Sequence, residues 1–399
     1  MCKIRLAARG LAMGLLEKIK PMSPGQEELL QALKDDAYEV VGVFGPTGTG
    51  KSLLSASYGI DGVMGGKYKR FVIARPVVDV VTGREVTTID AGELYYDLAS
   101  AYLKDIFTGL IEWQEVEKLI RDGKLLFADA HYLRGRTFDE TVIFVDDAQA
   151  VMPESAIEAF MRIGRNSKLI IAGDPVLQSV LGMGSSGIVA LREVLLGEDN
   201  AKVVDLGLKD IVRPGAKRGI KLLLEMKMRK RALSSVERSV VDSAKIHAPD
   251  ADVITVLDLM DDKRAFDITA EHVPDALVIV KEGYLARLIG KGGERINKIE
   301  QDAQLKLRAV ELTLNFTEIV RAIHPVSWIH KHITDVDFAG PNLMVKVKEE
   351  FGAFVGQRGS YIKFLDSAFK RLMGVGIVAG EEVVEEKERA KRKAKRKVG

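Results

Sequence analysis

Between about residues 38 and 233 the chain alternates short runs rich in β-branched residues with longer stretches whose apolar positions recur every three or four. The runs predict strands at 39–44, 70–74, 124–128, 141–146, 168–172 and 202–206, and the stretches predict helices at 91–110, 154–163 and 188–196. Strand, crossover helix and strand in succession imply an α/β fold whose mostly parallel sheet is covered on both faces. Past residue 233 the texture turns polar, with Asp250, Asp252, Asp261 and Asp262 close together, and 234–272 reads as a connector.

Two later stretches repeat one pattern. Val280-Lys281-Glu282 precedes Leu288-Ile289-Gly290-Lys291-Gly292-Gly293, and Val347-Lys348-Glu349 precedes Phe354-Val355-Gly356-Gln357-Arg358-Gly359, each followed by helical periodicity. Internal duplication is the economical explanation. The final 381–399 segment passes from acidic to basic and carries the run KRKAKRK over 391–397, read either as an aid to phosphate attraction or as a solubilising end.

Composition narrows the class. At 399 residues the chain can hold several domains of about 100–200 residues each. A net charge of +2 does not by itself announce a nucleic-acid binder, so that reading rests on local patches. The single cysteine, Cys2, excludes an internal disulfide and fits a reducing cytoplasm. The first twenty residues mix cations with leucines, so no signal peptide is expected, and no run of about 18 apolar residues predicts a membrane span. His324, His330 and His332 cluster around Trp328 without carboxylate or cysteine partners at metal spacing, which favours a structural role.

The sharpest motif is Gly45-Pro46-Thr47-Gly48-Thr49-Gly50-Lys51-Ser52, which satisfies GxxxxGK[ST] between a predicted strand and a helix continuing through Leu53. Such a loop turns successive backbone amides toward phosphates, the helix N-terminus adds its positive end, Lys51 meets the β and γ phosphates and the Ser52 hydroxyl can coordinate Mg2+. A metal-bound phosphate also needs a carboxylate at a neighbouring strand end. The run Val142-Ile143-Phe144-Val145-Asp146-Asp147 supplies one, with Asp146 as metal ligand and Asp147 as the group that orients or deprotonates the attacking water.

Taken with Arg134-Gly135-Arg136-Thr137-Phe138, VIFVDDAQ over 142–149, Arg162-Ile163-Gly164, Asn166-Ser167-Lys168 and Ile171-Ala172-Gly173-Asp174-Pro175, the region resembles the PhoH family of ATPases, relatives of the superfamily 1 helicase core. Pro24 with Gln26 resembles the glutamine motif that reads adenine, Arg75-Pro76 the second-strand signature, and Asp210-Ile211-Val212-Arg213 the motif whose arginine serves as a charge-stabilising finger. The resemblance implies a RecA-like P-loop core that uses ATP and Mg2+. Two departures stand out: the family usually has glutamate where Asp147 stands, and its γ-phosphate-sensing glutamine falls one position later here, at Gln178. No nuclease activity is expected, because about twenty residues ahead of the core cannot hold the PIN domain that family members often carry.

Leu288 to Ile296, followed by Ile299, is similar to the KH module, IGxxGxxI. There Gly290, Lys291, Gly292, Gly293 and Arg295 are the candidate contacts to a single-stranded backbone, and the adjoining groove takes about four unpaired bases. Gly356, Gln357, Arg358 and Gly359 are their counterparts in the second, more degenerate copy.

The resulting expectation is an N-terminal extension (1–20), an ATPase core (21–233), a connector (234–272), α+β KH-type domains at 273–315 and 316–380, and a tail (381–399). The chain is expected to be a cytoplasmic helicase, translocase or remodeller acting on single-stranded RNA or DNA. One core per chain calls for a homo-oligomer, a hexamer as in PhoH relatives, in which Arg213 reaches a neighbour's ATP. The competing reading is an RNA-binding regulator that uses slow hydrolysis as a switch without unwinding.

Overall fold

The computed structural model describes residues 14–78, 85–86, 92–128, 135–150, 153–176 and 187–382. Cys2, Arg134, Gln178 and the 391–397 run lie outside the described residues. The chain divides into two compact units, Met1–Pro175 with Ser185–Leu206, and Val176–Gly184 with Gly207–Gly399.

In the first unit α1 (Leu15–Lys18) and α2 (Pro24–Lys34) lead into β1 (Val40–Phe44), α3 (Lys51–Met64), β2 (Arg70–Ala74) and a small antiparallel pair, β3 (Val77–Val78) and β4 (Glu85–Val86). Then come α4 (Glu93–Phe107), α5 (Trp113–Arg121), β5 (Leu125–Ala128), β6 (Thr141–Val145), α6 (Pro153–Phe160), β7 (Lys168–Gly173), α7 (Gly187–Leu196) and β8 (Ala201–Asp205). Six strands form one sheet in the order β5-β2-β6-β7-β1-β8, and every pairing in it is parallel. This is the expected RecA-like α/β core, with the predicted strands and helices present and their ends moved by less than one helical turn.

The strands read as continuous apolar runs because both faces are buried. Val41 and Val43 of β1 join one core with Val142 and Phe144 of β6, while Val40 and Phe44 join the opposite core with Ile143 and Val145. Period-two alternation therefore distributes each strand between two cores. Ser23 caps α2 by accepting the Gln26 N–H at 3.2 Å, with Pro24 at the first helical position.

The second unit begins with α8 (Pro214–Arg229), α9 (Ser235–His247), β9 (Val253–Asp258), α10 (Met260–Ala265), β10 (Ala276–Val280), α11 (Leu285–Ile289), α12 (Glu294–Ala303) and β11 (Leu307–Glu311). It continues with α13 (Thr317–Ile323), β12 (Ile333–Ala339), β13 (Asn342–Val347), α14 (Phe351–Val355), α15 (Ser360–Met373) and β14 (Gly376–Glu381). Each module runs helix, strand, strand, two helices, strand, with α10 inserted between the first two strands of the first module. In each, the first two strands are antiparallel and the last joins the second in parallel, giving sheets β11-β10-β9 and β12-β13-β14.

The first compact unit ends at Leu206, and Ala216, Ile220, Leu224 and Met228 of α8 are buried in the second unit's core. The 234–272 stretch, expected as a connector, is folded: β9 pairs with β10 and α9 packs on α12. Its start was marked by a capping box, in which Ser234 accepts the Glu237 N–H at 3.2 Å and the Glu237 carboxylate accepts the Ser234 N–H at 2.9 Å. Among the described residues no helix is long and apolar enough to cross a membrane.

His324 is 1% exposed, following α13. Its Nε2 pairs with the Phe354 carbonyl at 3.0 Å, its Nδ1 accepts the Val326 N–H at 3.0 Å, and the ring stacks on Phe354. Burial pulls its pKa down to about 4, against the hydrogen bond to the Phe354 carbonyl, which favours the proton. The unfolded chain therefore takes up this proton first as pH falls, so stability is complete above about 6.5 and is lost toward pH 4. The loss attributable to this residue is about 3 kcal/mol. Urea unfolding followed from pH 7 to 4 is expected to lose that increment in the wild type and not in His324→Gln.

Candidate nucleotide site

The carboxyl ends of β1, β6 and β7 converge on one loop. Leaving β1, the chain turns at Gly48 and Gly50 with φ of 83° and 87°, a left-handed backbone that glycine enters without a Cβ penalty, and starts α3 at Lys51. Lys51 Nζ donates to the carbonyls of Gly45 at 2.7 Å and Pro46 at 2.8 Å, and Thr49 Oγ1 donates to the Pro46 carbonyl at 2.9 Å. Burial lowers the Lys51 pKa, while Asp174, Asp146 and Asp147 oppose that shift by stabilising the ammonium. Asp174, just past β7, accepts the Thr47 N–H at 3.1 Å.

Asp146 is 2% exposed at the end of β6, where the sequence placed the metal carboxylate. Its Oδ1 accepts from the Ser52 hydroxyl at 3.0 Å and from the Asp147 N–H at 3.0 Å, and its Oδ2 accepts from the Tyr102 hydroxyl. Burial raises the Asp146 pKa and the Asp147 charge adds to it, against the Tyr102 and Ser52 hydrogen bonds. A hydroxyl and a carboxylate oxygen side by side at a phosphate loop are hard donors that suit Mg2+, which binds few protein ligands and keeps water and phosphate in its remaining positions. Ser52 and Asp146 therefore fit the ion that the P-loop implies.

Asp147 stands beside them with φ of 49°, a region that aspartate tolerates better than most residues. Its Oδ2 accepts from Arg75 Nε at 3.0 Å and Nη2 at 2.7 Å, and its Oδ1 accepts from Gln149 Nε2 at 3.1 Å. Gln149 closes the ring by accepting the Asp174 N–H at 3.0 Å. The Arg75 guanidinium lies 3.7 Å from the centre of the Tyr102 ring. Although burial works against its charge, Asp147 with Tyr102 holds the Arg75 pKa above its ordinary value.

Arg75, Tyr102, Gln149 and Asp174 thus belong to the site, yet none of them had been assigned a role there from the sequence. Arg75, Gln149 and Asp174 lay inside quoted motifs, whereas Tyr102 sits in an ordinary helical pattern and carried no signal.

Gln26, read as an adenine contact, has a different set of partners here. It is 5% exposed, its Nε2 donates to the Thr49 carbonyl at 2.9 Å, and its Oε1 accepts the Met22 N–H at 2.8 Å. The amide therefore braces the phosphate loop from behind. Leu53, beyond Ser52 in α3, is half-buried. Arg213 lies in the second unit as the N-cap of α8.

In the second unit the two glycine-containing loops share one backbone. Gly290, Gly292 and Gly293 have φ, ψ of 76°, 176°; 62°, 19°; and 85°, 6°, and Gly356, Arg358 and Gly359 have 75°, 172°; 52°, 23°; and 76°, 21°. Arg358 therefore holds a left-handed conformation where the first copy has glycine. Lys291, Gly292, Gln357 and Arg358 are exposed at the loop tips. The Arg295 guanidinium, expected at the nucleic acid, is committed to Asp250 and to the Arg287 carbonyl at 2.8 Å, while its stem packs over Gly290.

Residues 18–225 match the family described as PhoH-like protein, and residues 260–323 match the KH domain family. A PhoH-like protein of Bacillus subtilis (strain 168) is 31% identical over 206 residues, 51% of this chain and 62% of that protein. A PhoH-like protein of Mycobacterium leprae (strain TN) is 28% identical over 198 residues, 49% of this chain and 55% of that protein. The matched region is thus less than two thirds of these relatives' length. Among solved structures, the large terminase of a thermophilic bacteriophage matches at 14% identity over 51% of this chain and 50% of that chain, with a TM-score of 0.33.

Gln26→Ala removes the donor of the buried Thr49 carbonyl and is expected to lower the unfolding free energy of the nucleotide-free protein by about 1–3 kcal/mol. Urea unfolding checks this, and an unchanged midpoint returns Gln26 to a purely ligand-facing role.

Proposed function

The chain belongs to the PhoH-like protein family, and from that premise we propose that it hydrolyses ATP to remodel or translocate along single-stranded nucleic acid, RNA foremost. The observation that carries the reading is the Ser52 hydroxyl 3.0 Å from Asp146 Oδ1 at the mouth of a glycine-turned loop that also holds Lys51. Phosphates entering the loop replace the Gly45 and Pro46 carbonyls as partners of the Lys51 ammonium. The amides from Gly45 through Leu53 and the start of α3 then cradle the anion. Ser52 and Asp146 would hold Mg2+, which would supply positive charge to the phosphates.

Asp147 acts on the attacking water. Arg75 takes both acceptor positions of its Oδ2, while Oδ1 accepts from Gln149 and keeps a second position that can face the water. Gln178 senses the γ-phosphate, and Arg213 stabilises charge in the transition state, in cis or from a neighbouring subunit. Nucleic acid is gripped by the loops at 290–293 and 356–359, whose matched backbones support two phosphate-approaching turns. We place the ATPase core at 21–233 and the KH-type domains after it, in a cytoplasmic homo-oligomer, a hexamer, whose neighbouring cores complete the ATP sites.

One observation favours the second reading, a nucleic-acid-binding switch with slow hydrolysis: the acid that must handle water shares its charge with Arg75 and leaves one acceptor position, on Oδ1.

Lys51→Ala is expected to lower kcat/KM for ATP by about a hundredfold or more, measured as steady-state phosphate release with and without single-stranded RNA. No Lys51-dependent hydrolysis in the wild type sinks both ATPase readings, and RNA-stimulated hydrolysis without strand separation selects the switch. Lys291→Asp combined with Gly292→Asp is expected to weaken binding of a labelled single-stranded RNA by about tenfold or more in fluorescence anisotropy. Unchanged affinity removes the first KH module from the mechanism.

A further inference from the structure

The sequence groups Arg213 with the nucleotide-binding core, but the residues around it fold with the KH modules. Leu206 is the last residue of the first unit: its N–H donates to the Phe44 carbonyl at 2.7 Å, and a Cβ on Gly45 would lie 2.4 Å from its carbonyl oxygen. One peptide bond later the partners change. A Cβ on Gly207 would lie 2.4 Å from the Asp337 carboxyl carbon on β12, and Gly207 N donates to Asp210 Oδ2 at 2.8 Å.

Asp337 then accepts the Leu208 N–H on Oδ1 at 2.6 Å and the Lys209 N–H on Oδ2 at 3.1 Å, while its Oδ1 also accepts the Phe338 N–H at 2.7 Å. The Lys209 ammonium pairs with Asp335, two residues before it on the same strand. Leu208 and Ile211 are buried in one core with Phe316 and Phe338. Two residues past Ile211, Arg213 caps α8, which packs on β9 of the first module and α15 of the second. Arg213 is itself exposed. The segment that bears it is therefore held at both ends by the nucleic-acid-binding unit: by a carboxylate clamp upstream and by a helix packed on both modules downstream.

We propose that Asp337 is a positioning residue for Arg213: it fastens the 207–211 strap to the second KH-like module, so that the arginine moves with the nucleic-acid-binding unit and ATP turnover answers to what that unit holds. This rests on the role given to Arg213 above. It gives the second module a task beyond gripping a strand.

The test uses the full chain. Asp337→Ala removes the acceptor, and Gly207→Ala drives a methyl group into it from the strap side, so two unlike substitutions attack one contact. In both, the Leu208 and Lys209 amides are expected to exchange hydrogen about tenfold faster or more, while amides of β13 keep their protection. The kcat for ATP with saturating single-stranded oligouridine is expected to fall about tenfold or more, with KM for ATP held within about twofold. Either change added to Arg213→Ala is expected to cost nothing further, because the anchor acts only through that arginine.

An unchanged kcat with the amides released overturns the proposal, as does a loss that multiplies with that of Arg213→Ala. Wild-type turnover in Arg213→Ala, or no Lys51-dependent hydrolysis at all, ends the reading of Arg213 and this inference with it. Wild-type turnover in Asp337→Ala beside a slow Arg213→Ala removes the anchor alone. If Asp337→Ala fails to fold, Asp337→Asn retains one acceptor oxygen and is expected to show an intermediate kcat, whereas a wild-type kcat overturns the proposal.

Discussion

The register of β1 between its two parallel neighbours is the constraint on which the rest of the nucleotide site depends. Phe44 lies opposite Gly173 of β7 on one side and Asp205 of β8 on the other. The Gly45 N–H donates to the Gly173 carbonyl at 3.0 Å, and the Leu206 N–H donates to the Phe44 carbonyl at 2.7 Å. Three strands thus stop together, and the loops leaving them open at one edge. A slip of one residue would turn every side chain of β1 to the other face and dissolve both cores, so burial on two sides locks the register. From it follow the approach of Asp174 to the phosphate loop and the departure of the chain toward the arginine strap.

Within that frame the acidic cluster is organised by Ser52 of the P-loop together with groups from outside it. Tyr102 fixes one Asp146 oxygen, Ser52 and a backbone amide fix the other, and Arg75, stacked on Tyr102, holds Asp147. Placing two carboxylates side by side in a buried site raises the cost of ionising both. Arg75 and Lys51 supply the compensating charge. The short side chain of Asp147, on a left-handed backbone, meets Arg75 and Gln149 at once.

The second unit shows how a duplicated module can diverge in chemistry and keep its shape. Lys291 and Gly292 become Gln357 and Arg358, yet the loop dihedrals agree closely. The residue five positions after the first glycine covers that glycine in both copies, Arg295 in one and Tyr361 in the other. What is retained is the glycine-turned backbone, and what changes is which position carries the loop's one positive charge, Lys291 in the first copy and Arg358 in the second. The copies also share one apolar core with α8, which ties the arginine segment to both.

By itself the sequence determined the elements whose signals are local. Strand runs such as 141–145, the phosphate loop, the carboxylate pair ending β6 and both KH-type turns could be placed because each is specified by residues close together in the chain. The α/β class followed from the alternation of strand and helix, and its RecA-like form was implied by the resemblance to the PhoH family. Only the tertiary structure decided what depends on residues distant in the chain. Tyr102 reaches Asp146 across 44 positions, Gln26 braces Thr49 across 23, and Asp337 clamps Leu208 across 129. Hydrogen-bond pairings of that kind leave no period in a sequence, since one polar residue on a helix or strand looks like any solvated one. The place of α8 was hidden for the same reason: its apolar face is plain in the sequence, but which core it enters is settled by packing alone.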